Sequence, residues 1–336
     1  MKQLLRKNFA LLLALALMLG LFPNSISAEE DSNPNINENA ISSEIDLDPV
    51  VDRDLVDDFK ENSDVPDIYG TTPETTYTFE VNGETIQPGE SIYIYSSPDM
   101  QQPLISTEAN LAEVPATSKV SPAAVGVNSI GIQPVLNPQG GTSKITAGLG
   151  VTKVVGSKPV LVGVNYVLKK AMTKGGTPQV ISRTSDNITF PGLGSSTQKN
   201  IALSGVGYYS VTFEVSVHYP KEIVPLVSSS STLLLSKTAR PWPGDYVDPV
   251  SGKRITDPVS LTWAKTSTPV NWTDKERKPF RQWYQTTYNV PNYNWDLVDI
   301  HHIRPKEFGG TNDNSNLIPL SKNVHKLYTS FFAGYK

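Results

Sequence analysis

The stretch Tyr209-Ser210-Val211-Thr212-Phe213-Glu214-Val215-Ser216-Val217-His218-Tyr219 decides the fold class of this chain. Apolar residues occupy every second position and polar residues lie between them, which is the period of a β-strand with one buried face. Shorter patterns of this kind lie at Val160–Leu168, Val180–Ile181 and Thr232–Leu235, with turns containing Gly or Pro between them. Several short strands at this spacing predict a β-sandwich-like domain over residues 123–238, and hence a mostly β protein.

The residues before this domain divide into three segments. Residues 1–28 have a basic start, an apolar run and the small-residue site Ile26-Ser27-Ala28, which predicts an export signal cleaved after Ala28 and a secreted protein. An uncleaved anchor is the alternative. Residues 29–72 are acidic and poor in aromatics, so we expect disorder with at most a short helix around 47–59. A pro-segment that shields the basic end of the chain is the alternative function for this segment.

Residues 73–122 are expected to form a small hairpin unit followed by a connector. Tyr77, Phe79 and Val81 alternate with polar residues, and Asn82-Gly83 is a strong signal for a two-residue turn.

Composition and charge exclude some kinds of site and permit others. The chain has no cysteine, which excludes disulfides, thiolate zinc sites and cysteine nucleophiles. Its formal net charge is −4, yet residues 29–118 carry 21 acidic and 2 basic side chains, so the remainder is basic. A basic working end of this kind is compatible with nucleic-acid binding, because Lys and Arg neutralise phosphates locally.

Residues 239–336 differ in character and contain all five tryptophans. We interpret these tryptophans as a small core. Thr273 and Glu276 have the spacing of a capping box, which predicts a basic, aromatic helix that begins there. Pro279 is expected to limit this helix to its first turn, followed by a kink.

The chemistry-bearing string runs from Asp296 to Tyr328. It predicts a short strand that ends at His301-His302, a loop with Gly309-Gly310, a second strand at Leu317–Leu320, and a helix capped by Ser321 that carries His325. Three of the four histidines of the chain fall in this string. Because neighbouring residues of a strand point to opposite sides, one of the paired histidines can bind metal while the other faces a substrate.

This string resembles the His-Asn-His, or ββα-metal, nuclease superfamily, which includes the colicin-type DNases and the endonuclease VII group. The likeness covers residues 296–332 and rests on the Asp-x-His-His-x-x-Pro start, the Gly-Gly loop and the Asn316-Leu-x-x-Leu segment. The resemblance implies a small α+β nuclease domain over 239–336. It makes His302 the general base, His301 and His325 the metal ligands, and Asn316 the residue that braces the loop.

The resemblance also assigns residues around this centre. Asp299 matches an acidic position that orients a phosphate-binding arginine, for which Arg281, Arg277 and Arg304 are the candidates; Arg281 and Arg304 are our predicted substrate contacts. The chain departs from the colicin branch at Thr329, where that branch has a further histidine. Two histidines leave positions for water and phosphate oxygens, which favours one Mg²⁺ or Mn²⁺, while Zn²⁺ and Ni²⁺ stay open.

The function expected from these observations is a secreted, metal-dependent endonuclease. Its substrate is nucleic acid, with DNA favoured over RNA and weak sequence preference, and no membrane span is expected after signal cleavage. Two alternatives stay open. One is an envelope-binding or adhesin-type protein that works through its β-domain. The other is a nuclease toxin used against competing bacteria, which would imply an inhibitory immunity protein as partner.

Overall fold

The computed structural model describes residues 77–96, 102–107, 128–258 and 261–336. The predicted signal, the acidic segment 29–72, the short helix expected around 47–59 and most of the connector lie outside these residues. All described residues belong to one compact unit, Asn62–Lys336.

The described residues contain sixteen strands and two α-helices. In chain order these are β1 (Phe79–Val81), β2 (Glu84–Ile86), β3 (Ile92–Ser96), β4 (Leu104–Ser106), β5 (Asn128–Gln139), β6 (Lys144–Val155), β7 (Leu161–Ala171), β8 (Gln179–Thr189), β9 (Ser196–Ala202), β10 (Gly207–Tyr219), β11 (Glu222–Ser230), β12 (Leu233–Leu235), β13 (Tyr246–Val247), β14 (Arg254–Ile255), α1 (Asp274–Thr287), β15 (Val298–His302), β16 (Leu317–Ser321) and α2 (Lys322–Ala333). The expected mostly β fold is therefore confirmed.

Two antiparallel sheets form the larger part of the protein. One has seven strands in the order β2-β1-β11-β10-β7-β8, with β12 also paired to β10, and the other has five in the order β4-β3-β5-β6-β9. They share one buried apolar cluster, in which Phe213 of β10 contacts Phe79 and Tyr166 edge to face at ring distances of 5.7 and 5.6 Å. Ile94 and Ile132 join this cluster from the five-stranded sheet. The alternation along 209–219 therefore marks a strand whose apolar face is buried between two sheets.

The predicted hairpin is present, but it does not form a unit of its own. Asn82 and Gly83 have φ angles of 52° and 88°, as a two-residue turn with left-handed central residues requires. However, β1 pairs with β11 and β3 pairs with β5, so these early strands extend both sheets. Unpaired sheet edges favour such additions because backbone donors and acceptors along them need partners.

The C-terminal part packs against one end of the seven-stranded sheet. Its helix α2 contributes Tyr328 to a buried cluster that also contains Ala171, Tyr208 and Leu234 from the strand ends. Trp242 lies in the same cluster, with its ring 5.0 Å from that of Tyr328. A further apolar cluster forms around α1. The tryptophans thus belong to two small cores rather than one.

Helix α1 begins as predicted and continues further than predicted. The Thr273 side chain accepts a hydrogen bond from the backbone of Lys275, and the Glu276 carboxylate accepts one from the backbone of Thr273. The helix then passes through Pro279 and ends at Thr287, so the expected limit of one turn is wrong. Phe280 and Tyr284, which follow the proline, are buried, and this packing offsets the one backbone hydrogen bond that Pro279 cannot donate.

Candidate active site

The β15–β16 hairpin places His301 and His302 on opposite sides of one strand. The two residues pair with Ile318 and Leu317 of β16. The His301 ring faces α2 and lies 5.2 Å from the ring of His325. The His302 ring lies 4.5 Å from that of Trp272, which precedes α1. The alternation of side chains along a strand thus gives the adjacent histidines different surroundings.

His301 is a buried, neutral imidazole, and one of its two ring nitrogens has no hydrogen-bond partner among the described residues. Its side chain is 6 % exposed, and the nitrogen without such a partner is Nε2. Burial, followed by the neighbouring His325 and His302, lowers the pKa of His301 to about 3. A buried polar atom without a partner is costly, so an unpaired imidazole nitrogen of this kind is a natural metal ligand.

His325 lies in the first turn of α2 and is held by Asp299. The Asp299 carboxylate is 3.1 Å from Nδ1 of His325. Burial lowers the pKa of His325, although Asp299 acts in the opposite direction. A carboxylate on one ring nitrogen orients a metal-binding histidine, and Nε2, which lies 3.5 Å from the Thr329 hydroxyl, is the nitrogen that would bind the metal.

The expectation that Asp299 holds an arginine is therefore wrong in this structure. Asp299 lies two residues before His301 on β15, so both side chains face α2. On α2 the Asp299 carboxylate contacts His325.

The two histidines suit an open metal site better than a closed one. Among the described residues, no group of three or more His, Cys, Asp or Glu side chains is arranged to hold a metal ion. Structural zinc sites close with four protein ligands, whereas catalytic sites keep positions for water or substrate. The unpaired Nε2 of His301 beside the oriented ring of His325 fits a divalent cation whose other ligands are water and substrate oxygens.

Asn312 fixes the protonation pattern of His302. Its side-chain Nδ2 donates to the backbone oxygen of Asn271 at 2.9 Å, so its Oδ1 must accept from Nε2 of His302 at 3.0 Å. Neutral His302 then carries its proton on Nε2, which leaves the lone pair on Nδ1. Burial lowers the pKa of His302, against the opposing effect of the hydrogen bond with Asn312. The ring is thus a neutral base in a set orientation.

Asn316 ties the loop to the end of the histidine strand. Its Oδ1 accepts from the backbone N–H of Arg304 at 2.9 Å, and its Nδ2 donates to the backbone oxygens of Arg304 and Thr311 at 3.1 and 2.9 Å. Its backbone oxygen accepts from Ile303. These bonds hold the two residues that follow His302, which is the arrangement that a brace of the loop requires.

Gly310 makes this brace possible. A Cβ atom at this position would lie 1.8 Å from the backbone oxygen of Arg304 and 2.9 Å from Nδ2 of Asn316. We therefore expect Gly310→Ala to displace both groups and to lower the free energy of unfolding by about 3 kcal/mol. Chemical denaturation of the purified protein measures this. Gly192→Ala is the matched control, since nothing lies within 4 Å of its Cβ position. Equal stability of the two variants would contradict the prediction.

A cavity of about 660 Å³ opens over these residues. Four basic side chains line it together with the three histidines and Trp272: Lys265, Arg277, Arg281 and Lys306. The guanidinium of Arg277 lies over the Trp272 ring at 5.7 Å, and that of Arg281 lies over Trp295 at the same distance. Asp299 and Glu307 are the acidic lining residues. The surplus of basic groups suits a polyanionic substrate.

The predicted arginines divide between the cavity and the surface. Arg281 lines the cavity, and its buried Nε has no hydrogen-bond partner among the described residues. Arg304 does not line the cavity; it lies over the Trp263 ring at 5.6 Å and donates through Nε to the backbone oxygen of Phe308 at 2.6 Å. Its role as a substrate contact is therefore not supported. Residues 305–308, which follow Arg304, line the cavity, but the Arg304 side chain is exposed and lies against Trp263 instead.

Sequence reasoning missed several residues that contact His302 or line the cavity. Asn312 and Trp272 contact His302, and Lys265 and Lys306 line the cavity. Asn312 lies in the predicted loop that follows Gly309-Gly310, but only the structure shows that its amide contacts both His302 and Asn271.

No protein-family model, curated protein or solved structure matches this chain. Among the described residues, no helix has the length and apolar character needed to cross a membrane.

Proposed function

We propose that this chain is a metal-dependent endonuclease that hydrolyses phosphodiester bonds of nucleic acid, with DNA favoured as substrate. The observation that carries the proposal is the opposite placement of His301 and His302 at the end of β15. His301 faces the second candidate ligand, His325, whereas His302 is a neutral base held by Asn312. A metal-assisted hydrolase needs both a cation site and a separate group that activates water.

The metal ligands and the general base have separate roles in the proposed reaction. When bound by His301 and His325, a divalent cation would stabilise negative charge on the phosphate and the leaving oxygen. His302 accepts a proton at Nδ1 from a water molecule, whose oxygen attacks phosphorus. The bond between phosphorus and the 3′-oxygen breaks, and this oxygen takes a proton from a solvent water molecule, while His302 releases its extra proton to solvent. The products are a 5′-phosphate and a 3′-hydroxyl.

The surrounding residues hold the base and the substrate. Asn312 and Trp272 set the orientation of the His302 ring, and Asn316 fixes the backbone that follows it. Arg277 and Arg281 bind neighbouring phosphates of the strand. Phosphate contacts supply affinity without reading bases, so we expect little sequence preference.

The ligand chemistry favours Mg²⁺ or Mn²⁺, because water and phosphate oxygens complete the coordination sphere. Zn²⁺ and Ni²⁺ also bind imidazole pairs and belong in the test. The choice of DNA rests on the resemblance of residues 296–332 to the nuclease superfamily.

Cleavage of nucleic acid by the purified protein tests the proposal. We expect supercoiled plasmid to be nicked and then linearised with Mg²⁺ or Mn²⁺, and expect EDTA to stop the reaction. Single-stranded DNA and RNA in parallel reactions define the substrate class. End-labelling of the products checks for a 5′-phosphate. Intact substrates under the whole metal series would overturn the proposal.

A further inference from the structure

The loop between β8 and β9 exposes two large apolar side chains at its tip. Phe190 is 80 % exposed and Leu193 is 77 % exposed, more than any other large apolar side chain among the described residues. The loop joins the seven-stranded sheet to the five-stranded sheet and therefore lies at one end of both. Isolated exposed apolar residues are common, whereas two large apolar side chains at one loop tip place an unusual amount of apolar surface in one place.

The backbone holds this loop in place rather than leaving it free. Phe190 has a φ angle of 47°, a left-handed conformation that is unusual for a bulky residue, and its N–H donates to the backbone oxygen of Val160 at 3.0 Å. Gly194 donates to the backbone oxygen of Val151 at 2.9 Å, and the backbone N–H of Gly192 donates to the hydroxyl of Ser195 at 3.0 Å. Strained residues that the surroundings hold in place are typical of functional loops.

The neighbouring loop extends the apolar surface and adds positive charge. Val155 and Val160 are 49 % and 40 % exposed, and they flank Lys158 in the connection from β6 to β7. The turn from β10 to β11 carries Lys221 beside the same strand ends, because Val160 donates to the backbone oxygen of His218. We call Phe190, Leu193, Lys158 and Lys221, with the two valines, the apolar-basic tip.

Negative charge near the tip is small. Of the 11 basic and 3 acidic side chains of residues 119–239, Lys158 and Lys221 lie in the loops at the tip. Asp186 is paired with Lys199 at 3.0 Å and Glu214 with Arg183 at 3.2 Å, which leaves Glu222 as the acid beside Lys221. A rigid apolar protrusion flanked by Lys158 and Lys221 complements an anionic lipid surface, in which the apolar groups insert and the cations contact headgroups.

The tip and the candidate active site lie at opposite ends of the seven-stranded sheet. Strand β7 begins at Leu161, beside the tip, and ends at Ala171, which belongs to the cluster shared with α2. An eleven-residue strand spans roughly 36 Å. Contact of the tip with a surface therefore leaves the cavity near His302 uncovered.

We propose that the apolar-basic tip docks the protein on anionic lipid bilayers through insertion of Phe190 and Leu193. This goes beyond the nuclease proposal and does not depend on it. The partner is the lipid surface itself, recognised by apolar insertion and by the charge of its headgroups.

The absence of cysteine gives a direct test in the full chain. Leu193→Cys offers a single site for a polarity-sensitive fluorophore, and Val227→Cys, at a position that is 50 % exposed in the middle of β11, is the matched control. We expect vesicles of phosphatidylcholine with phosphatidylglycerol to shift the emission of the label at 193 to the blue. The label at 227 should not respond, and vesicles of phosphatidylcholine alone should act much more weakly.

Further variants measure separately the contributions of the apolar side chains and of the lysines to membrane binding. Phe190→Ser should weaken binding to the anionic vesicles by at least about tenfold, and Lys158→Gln and Lys221→Gln by about fivefold each. Plasmid cleavage should not change in any of them, which separates this proposal from the nuclease proposal. No emission change at 193, or an equal response to neutral vesicles, overturns the proposal. A shift that follows protein concentration without lipid also overturns it, since it would indicate an interface between copies of the chain.

Discussion

Replacement of His302 by alanine is expected to lower the rate of plasmid cleavage by about two to four orders of magnitude. His302 provides the lone pair that takes a proton from water, and the other two histidines that line the cavity, His301 and His325, are the candidate metal ligands. Its side chain faces away from His301, so Mn²⁺ binding should stay close to that of the unaltered protein. Single-turnover cleavage of labelled DNA, together with calorimetric titration of Mn²⁺, measures both quantities.

The control is His218→Ala, which removes the one histidine outside the C-terminal cluster. His218 lies on β10, where it bonds to the Ser216 hydroxyl, and its loss should leave cleavage unchanged. Asn312→Leu should give an intermediate loss, because the ring of His302 remains but its tautomer and orientation are no longer set. Cleavage by His302→Ala at the rate of the His218→Ala protein would remove His302 from the mechanism.

The histidine hairpin was predictable because it depends on local patterns. Alternation over residues 297–301 predicted a strand, which the structure has at Val298–His302, and with it the opposite directions of His301 and His302. The N-cap position of Ser321 predicted the start of the final helix. The side chain of Ser321 makes no capping hydrogen bond, so its position was right although the expected contact is absent.

The length of α1 and the pairing of the early strands depend on long-range packing, which local sequence patterns do not reveal. The continuation of α1 through Pro279 depends on burial of Phe280 and Tyr284 against residues more distant in the chain. The pairing of β1 with β11 joins residues about 150 positions apart, and a pattern of period two does not identify its partner strand.

Asp299 shows why a residue's role can change while its position does not. The carboxylate lies on β15 as predicted, yet its partner is set by the face of the strand and by the approach of α2, which brings His325 within 3.1 Å. Asn312 was predicted only to lie in a loop. The tertiary structure brings its side chain to His302, which the sequence did not indicate.

Removal of the candidate metal ligand His301 is the second change with a large expected effect. In the metal-free protein its buried Nε2 lacks a partner, so His301→Leu should raise the stability of that state by about 1 kcal/mol. The same variant should lose Mn²⁺-dependent cleavage and the rise in melting temperature that Mn²⁺ produces by binding the folded state. Thermal unfolding with EDTA and with Mn²⁺ separates these two effects.

His325 is less buried than His301, so its replacement disturbs packing less and provides a companion variant. His325→Ala should also lose the response to Mn²⁺, while Asp299→Asn should weaken Mn²⁺ binding by about 10- to 100-fold, since Asp299 orients the ligand without being one. This graded order distinguishes a metal centre from a buried polar cluster that only supports the fold. A structural cluster would give lower stability in all three variants with EDTA present, and an unchanged response to Mn²⁺ in His301→Leu and His325→Ala would exclude these two histidines as ligands.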